Sequence, residues 1–417
     1  MINNILKIFP AFSERNYRYY FVGQLVSQIG TWLQIVAQGW LVLTLTKSLL
    51  LIGIVSATLT LPLLIFGVFG GVIVDRFDKK KLIMLTNSGS MLVAFILGVL
   101  TVSGDIQIWQ IMILSFLLGT INAVDMPARQ AFVSEMVSKD KLPSAIAMNA
   151  SIFNAARVVG PAVAGLLIAL IGVGGAFLLN SATYIAAILV QFLVVPMYHP
   201  KPKHSHPILA VKEGIVYTWT HPIVRSLIGL TAIVSIFGWS YTTIMPFIAE
   251  NIFHQDATGL GYLYASAGLG ALSATILISA LSSKFSPFFF IVGGNILFAV
   301  SMFLFSYTSV LYLGYLLLFI GGFGLLMVFP IINAQIQSRV EPHFRGRVMS
   351  IYLLMFVGLF PIGSFQFGFV SEYLGVQIAI RIGSVIVLTA AIIGIIFRGK
   401  VSQANKKFLS KKQIENA

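Results

Sequence analysis

Read only for hydrophobic and polar positions, the chain is a series of long apolar runs parted by short polar breaks. Twelve runs stand at 18–45, 48–74, 82–104, 107–134, 143–171, 173–196, 222–248, 258–283, 287–308, 310–338, 346–371 and 375–398. Each is long enough to cross a hydrocarbon core of about 30 Å as a helix. Within the runs polarity does not alternate at period two, as a membrane β-strand requires. Helices are predicted because lipid offers the backbone no partners, so each span must satisfy its own hydrogen bonds. The first run is too long for the apolar core of a signal peptide and lacks a small-residue cleavage site. The longest polar break, 197–221, contains MYHPKPKHSHP and divides six runs from six. The predicted organisation is an N-terminal six-helix bundle (1–196), a cytoplasmic linker (197–221), a C-terminal six-helix bundle (222–398) and a basic cytoplasmic tail (399–417).

Composition sharpens the class. The chain has 417 residues, 58% hydrophobic and 10% charged, with mean hydropathy +0.93. A soluble fold of this size does not hide that much apolar surface. The predicted fold class is an all-α polytopic membrane protein. There is no cysteine, so disulfides and thiolate metal sites are excluded. The formal charge of +14 is an effect of topology. Of 27 Lys and Arg, 23 fall on one side of the spans, whereas the opposite loops hold only Lys47, beside Asp105, Glu250, Asp256 and Glu372. By the positive-inside rule both termini are cytoplasmic. The expected surroundings are a lipid bilayer, with no nucleic acid as partner.

The halves are related at an offset of 203 residues. Gly67 aligns with Gly270, Lys81 with Lys284, Gly119 with Gly322, Pro127 with Pro330, Ala131 with Ala334, Gly160 with Gly363, Gly165 with Gly368 and Gly172 with Gly375. Six spans per copy make both copies cross in the same direction, the arrangement of parallel-repeat transporters.

Short segments then carry a family resemblance. GGVIVDRFDKKK (70–81) matches the loop signature of the major facilitator superfamily at Gly71, Asp75, Arg76, Lys79 and Lys80, with Asp78 in place of its second glycine. RVVGPAVAG (157–165) is similar to the Gly-Pro signature of that family's antiporters. With RNYRYYFVGQLVSQIGTW, DMPARQAFVSEMV and RGRVMSIY, the chain resembles the branch that holds the enterobactin exporter and related drug-efflux permeases, over nearly all of 15–398. The resemblance implies a secondary transporter in the bacterial inner membrane, taking a small molecule and protons, without cofactor or metal, as a monomer. Its expected function is proton-coupled export of a siderophore or drug-like compound by alternating access. A proton-coupled importer and a non-transporting membrane sensor are the alternatives.

The charges inside the spans are the candidate chemistry. Asp125 and Arg129 are four apart, on one helical face where they can pair. Asn122 lies a turn earlier, and Pro127 removes a backbone donor between them. An isolated ion at mid-depth costs at least ~2.5 kcal/mol, so pairing is expected whether the role is structural or functional. The repeat supplies a control: Asp125 aligns with Val328, Arg129 with Ile332 and Arg157 with Phe360. The helix can be built without the charges, which favours a role in transport, with Asp125 coupling protons and Arg129 and Arg157 meeting substrate. At about 100° per residue, Tyr20, Gln24, Ser27, Gln28, Thr31, Gln34 and Gln38 share one arc of the first span. Such an arc faces protein or water rather than lipid; lining of a substrate cavity and helix-to-helix packing are both open, as they are for Trp239 and Tyr241. Arg381 reads as snorkelling or structural.

Asp75, closing the second span, is expected to latch onto Arg345, Arg347 and the helix start there. Arg76, Lys79 or Lys80 can reach Glu135. Gly160-Pro161 permits close helix approach and a bend. No His-Glu-x-x-His and no phosphate-cradling glycine loop occurs, so the chain reads as no enzyme.

Overall fold

The computed structural model describes residues 9–196 and 207–415, and these are helical without a strand. The helices are α1 (Arg15–Thr46), α2 (Leu49–Arg76), α3 (Lys79–Ser103), α4 (Ile108–Met136), α5 (Leu142–Leu193), α6 (Pro207–Thr220), α7 (Pro222–Ile252), α8 (Ala257–Leu281), α9 (Pro287–Phe305), α10 (Leu311–Arg339), α11 (Pro342–Leu374) and α12 (Val376–Glu415). Eleven of the described helices, all but α6, are long and apolar enough to span a membrane.

The breaks between helices have local causes. Ser48 caps α2 by accepting from the Leu51 N–H at 3.3 Å, and Asp78 caps α3 by accepting from the Lys81 N–H at 2.9 Å. Asp78 is the residue that departs from the loop signature, and capping is what it contributes. Gln107 and Gln110 form a capping box at the start of α4. Within the 52 residues of α5, Gly172 has φ 73° and ψ 172°, which no right-handed helix accommodates, so α5 is two arms, 142–171 and 173–193.

The repeat is visible as geometry. The bounds of α4 and α10 are displaced by 203 at both ends, and each helix carries its proline, Pro127 or Pro330, in its interior. Gly172 and Gly375 both take positive φ, 73° and 90°. Register is lost between α2 and α8. A Cβ on Gly119 would run into the Leu59 carbonyl, and one on Gly322 into the Ala267 carbonyl. Ala267 lies five positions beyond the residue an offset of 203 demands, so Gly67 and Gly270 are not equivalent.

Two compact units emerge. The first holds α1–α5 together with Pro246–Ala265, the end of α7 and the start of α8. In it α1 packs on α5, α2 on α4, and α3 on α4 and α5. The first arm of α5 meets the start of α8 closely: a Cβ on Gly165 would stand 2.5 Å from the Ala257 carbonyl oxygen, and one on Gly261 2.6 Å from that of Pro161. In the second unit α9 packs on α10 and α12, and the middle of α7 on α11. Here α7 widens into a π-turn at Val234–Gly238 and α11 into another at Leu354–Gly358. The Ser235 hydroxyl donates to the Phe356 carbonyl at 2.8 Å, satisfying an acceptor within that widened turn.

Two polar segments are more ordered than their composition suggests. Residues 207–220 of the linker form α6, which packs along the start of α11. The tail continues α12 as helix to Glu415. The histidine cluster at 199–206 lies outside the described residues.

Candidate functional site

The site is built on α4 of the first unit. Asp125 and Arg129 lie one turn apart on the helix face turned into the bundle, and both are buried. Arg129 uses its whole fork. Its Nε donates to Asp125 Oδ2, its Nη1 to Gln24 Oε1 of α1, and its Nη2 to Asn87 Oδ1 of α3 at 2.6 Å. The Thr86 hydroxyl of α3 donates to Asp125 Oδ1 at 2.6 Å. Both carboxylate oxygens are therefore engaged by Thr86 and Arg129. Tyr20 of α1 and Tyr184 on the second arm of α5 lie within electrostatic reach of the pair. The charges are thus enclosed by four helices, and a buried ion pair is tolerated only when its remaining donors and acceptors are met in this way. Two atoms of the cluster are not met: Tyr20 Oη and Gln24 Nε2 are buried without a hydrogen-bond partner.

The polar arc of α1 runs into the same bundle. Gln24, Ser27, Gln34 and Gln38 are buried. Gln38 Nε2 donates to Ser115 Oγ of α4 at 3.0 Å, and Asn180 Nδ2, on the second arm of α5, donates to Gln34 Oε1 at 2.5 Å. Gln28 and Asn122 are half-buried. Arg157 is half-buried on the first arm of α5, before Gly160, where an added Cβ would stand 2.6 Å from Trp32 Cβ of α1. Sequence reasoning missed Thr86, Asn87, Asn180 and Tyr184. Their signal was available: TNS at 86–88 and NSATY at 180–184 are polar interruptions of apolar runs, of the same kind as the α1 arc.

In the second unit, the positions equivalent to Asp125 and Arg129, Val328 and Ile332, are fully buried apolar residues. Trp239 stacks on Phe356 at 5.0 Å and contacts Phe329 and Phe360. Tyr241 is buried against Phe298. Arg381 donates to Ser306 and lies 3.8 Å over the Tyr307 ring.

At the predicted latch, Lys79 pairs with Glu135 at 2.8 Å and Lys80 donates to the Val194 carbonyl at 2.7 Å. Asp75 and Arg76 are exposed, and a Cβ on Gly71 would meet nothing within 4 Å. Arg345 is exposed, and Arg347 pairs with Glu213 of α6. Lys47, the one lysine of the opposite loops, pairs with Glu250 at 2.7 Å, both within the first unit. These two lysine pairs differ in environment, with side-chain exposures of 10% and 3% for Lys79–Glu135 against 61% and 30% for Lys47–Glu250. Lys79→Ala is expected to cost about 2–3 kcal/mol, because Glu135 is left charged and buried, whereas Lys47→Ala is expected to cost under about 1 kcal/mol. Thermal unfolding in detergent checks the contrast; equal shifts in Tm would contradict it.

Comparison with known proteins agrees with this architecture. The profile of the family described as transmembrane secretion effector matches residues 7–416. The staphyloferrin A transporter of Staphylococcus aureus is 26% identical over 86% of this chain and 90% of its own length. The multidrug efflux pump Tap of Mycolicibacterium fortuitum is 25% identical, covering 85% and 88%. The enterobactin exporter EntS of Escherichia coli is 27% identical, covering 68% and 67%. Among solved structures, a POT family transporter in complex with 5-aminolevulinic acid aligns with TM-score 0.75 at 13% identity over 93% of this chain and 97% of that one. A D-xylose-proton symporter aligns with TM-score 0.68 at 14% identity, over 90% and 95%. These two likenesses show the fold. The chain is a multi-pass protein of the bacterial inner membrane and belongs to the transmembrane secretion effector family of the major facilitator superfamily of transporters.

Proposed function

We propose that this transporter exports a small, oxygen-rich molecule, a siderophore or drug-like compound, in exchange for protons. It would act as a monomer of twelve spans with both termini cytoplasmic. The observation that carries the reading is the Asp125–Arg129 network: a carboxylate and a guanidinium kept deep in the first unit, where the repeat manages with valine and isoleucine. Intramembrane ionisable groups of this kind mark ion and substrate pathways. The spare donors of Tyr20 and Gln24 support a site that takes a further acceptor oxygen, since a buried donor left unmet costs roughly 1–3 kcal/mol. In this reading Asp125 carries the proton. Arg129, Arg157, Asn122 and the glutamines Gln24, Gln28, Gln34 and Gln38 form the substrate side, and Trp239 and Tyr241 add aromatic surface from α7. Asp75, Arg76, Lys79, Lys80, Glu135, Arg345 and Arg347 gate the cytoplasmic side, with Gly71 in their loop, and Gly160-Pro161 restrains leak on the other. The relatives named for siderophore or drug export, with the Gly-Pro signature, favour export over import.

The test compares culture medium and cell contents of wild-type and deletion strains grown with and without iron. Export predicts a metabolite that is depleted from the deletion medium and accumulates inside the cells. A strain that instead fails to take up an external nutrient would reverse the direction.

A further inference from the structure

Thr86 has one proton and two acceptors. Its hydroxyl lies 2.6 Å from Asp125 Oδ1 and 3.0 Å from the Ile83 carbonyl oxygen of its own helix. A helical threonine ordinarily donates back to a carbonyl three or four residues earlier. Here the same oxygen also touches a buried carboxylate, and the two donations exclude each other. The other carboxylate oxygen, Oδ2, is held by Arg129 Nε, which can only donate.

We propose that Thr86 is a positioning residue for the proton on Asp125, a two-state adaptor that lets the buried carboxyl be charged or neutral with both of its oxygens engaged in either state. The proposal rests on the reading of Asp125 as the proton carrier. With Asp125 charged, Thr86 donates to Oδ1 and Arg129 to Oδ2. When a hydronium ion from the aqueous phase gives up its proton, water leaves and the proton binds Oδ1, the oxygen not faced by the guanidinium. The new carboxyl O–H donates to Thr86 Oγ1, and the threonine proton turns to the Ile83 carbonyl. Arg129 keeps its bond to Oδ2, now the carbonyl oxygen, together with Gln24 and Asn87. Each state therefore satisfies all members of this set. Rotation about one threonine C–O bond separates the two states, with no helix movement.

The groups that face Asp125 leave this role to Thr86. Among the described residues, the titratable groups in electrostatic reach of Asp125 include Arg129 on α4, Tyr20 on α1 and Tyr184 on α5. On α3 the neighbours are Thr86 and Asn87, neither titratable, and Asn87 is engaged with Arg129. Asp75 and Arg76, at the end of α2, are exposed. A charge-assisted O–H···O⁻ bond is stronger than its neutral counterpart, so loss of the hydroxyl weakens the charged state more.

The test needs no substrate. Purified full-length protein is titrated with pH while infrared difference spectra record the protonated-carboxyl band, assigned to Asp125 by its absence in Asp125→Asn. Thr86→Val is expected to move the midpoint of that band up by about one pH unit and to change its frequency, because the neutral carboxyl loses its acceptor. Thr86→Ser, which keeps the hydroxyl, is expected to restore both. A midpoint and frequency unchanged in Thr86→Val would overturn the proposal while leaving Asp125 as proton carrier. Absence of any Asp125 band across the titration would overturn the reading of Asp125 itself. Thr86→Ser serves as the folding control for the valine variant.

Discussion

Asp125→Asn is expected to lower proton-driven transport by about 100-fold or more, the scale on which a positioned proton-transfer group acts, while the protein still accumulates in the membrane. Asparagine keeps the shape of the side chain and an oxygen able to accept from Thr86 or Arg129. Arg129 retains Gln24 Oε1 and Asn87 Oδ1 as acceptors, so the site does not fall apart around an unmet cation. What is lost is the ability to gain and release a proton. In proteoliposomes, movement of the compound identified by the medium comparison under an imposed pH gradient measures the coupled reaction, and exchange of the same compound at equal pH measures the uncoupled one. The first is expected to fail and the second to persist. Proton-driven transport at the wild-type rate in Asp125→Asn would remove Asp125 from the mechanism.

Arg129→Met has the larger structural effect. It leaves the Asp125 carboxylate buried with only the Thr86 hydroxyl as donor, and breaking a buried pair from one side costs about 3–5 kcal/mol. Adding Asp125→Asn is expected to recover most of that loss, because the uncompensated charge goes with it. The loss in the single variant is also expected to shrink as pH falls, since a protonated carboxyl needs no counter-charge. The control is Ile332→Met in α10, a near volume-conserving change at the equivalent buried position, expected to cost under about 1.5 kcal/mol. Thermal unfolding of the four proteins in one detergent decides it. Equal Tm values for Arg129→Met and the double variant would mean that the carboxylate is not the cause.

Much of the fold could be read from periodicity alone, because in lipid the backbone has one solution per span. The 203-residue repeat carried further than the spans, down to the ends of α4 and α10 and the shared positive φ of Gly172 and Gly375. It failed for α2 and α8, where glycine matches in an apolar run say little about which carbonyl lies across the interface. The charge pair was legible because ions are rare at mid-depth. Its partners were not, because a lone threonine or asparagine in a span costs little enough to pass as packing, and only tertiary contact distinguishes Asn87 from any other polar interruption. The polar arc of α1 was legible as an arc. Its orientation toward α4 and the second arm of α5, through Ser115 and Asn180, depends on which helices pack, and periodicity does not carry that.

The single-residue break at Gly172 bears on how the protein can be handled. Two apolar arms are joined there with Gly172 as the only non-helical residue, and helix resumes directly on either side. Proteases cut, and inserted epitopes are tolerated, at extended loop tips. The bend within α5 offers none, so nicking and tagging should concentrate elsewhere. The short connections at Gly104–Gln107 and Phe253–Asp256 are the places to look.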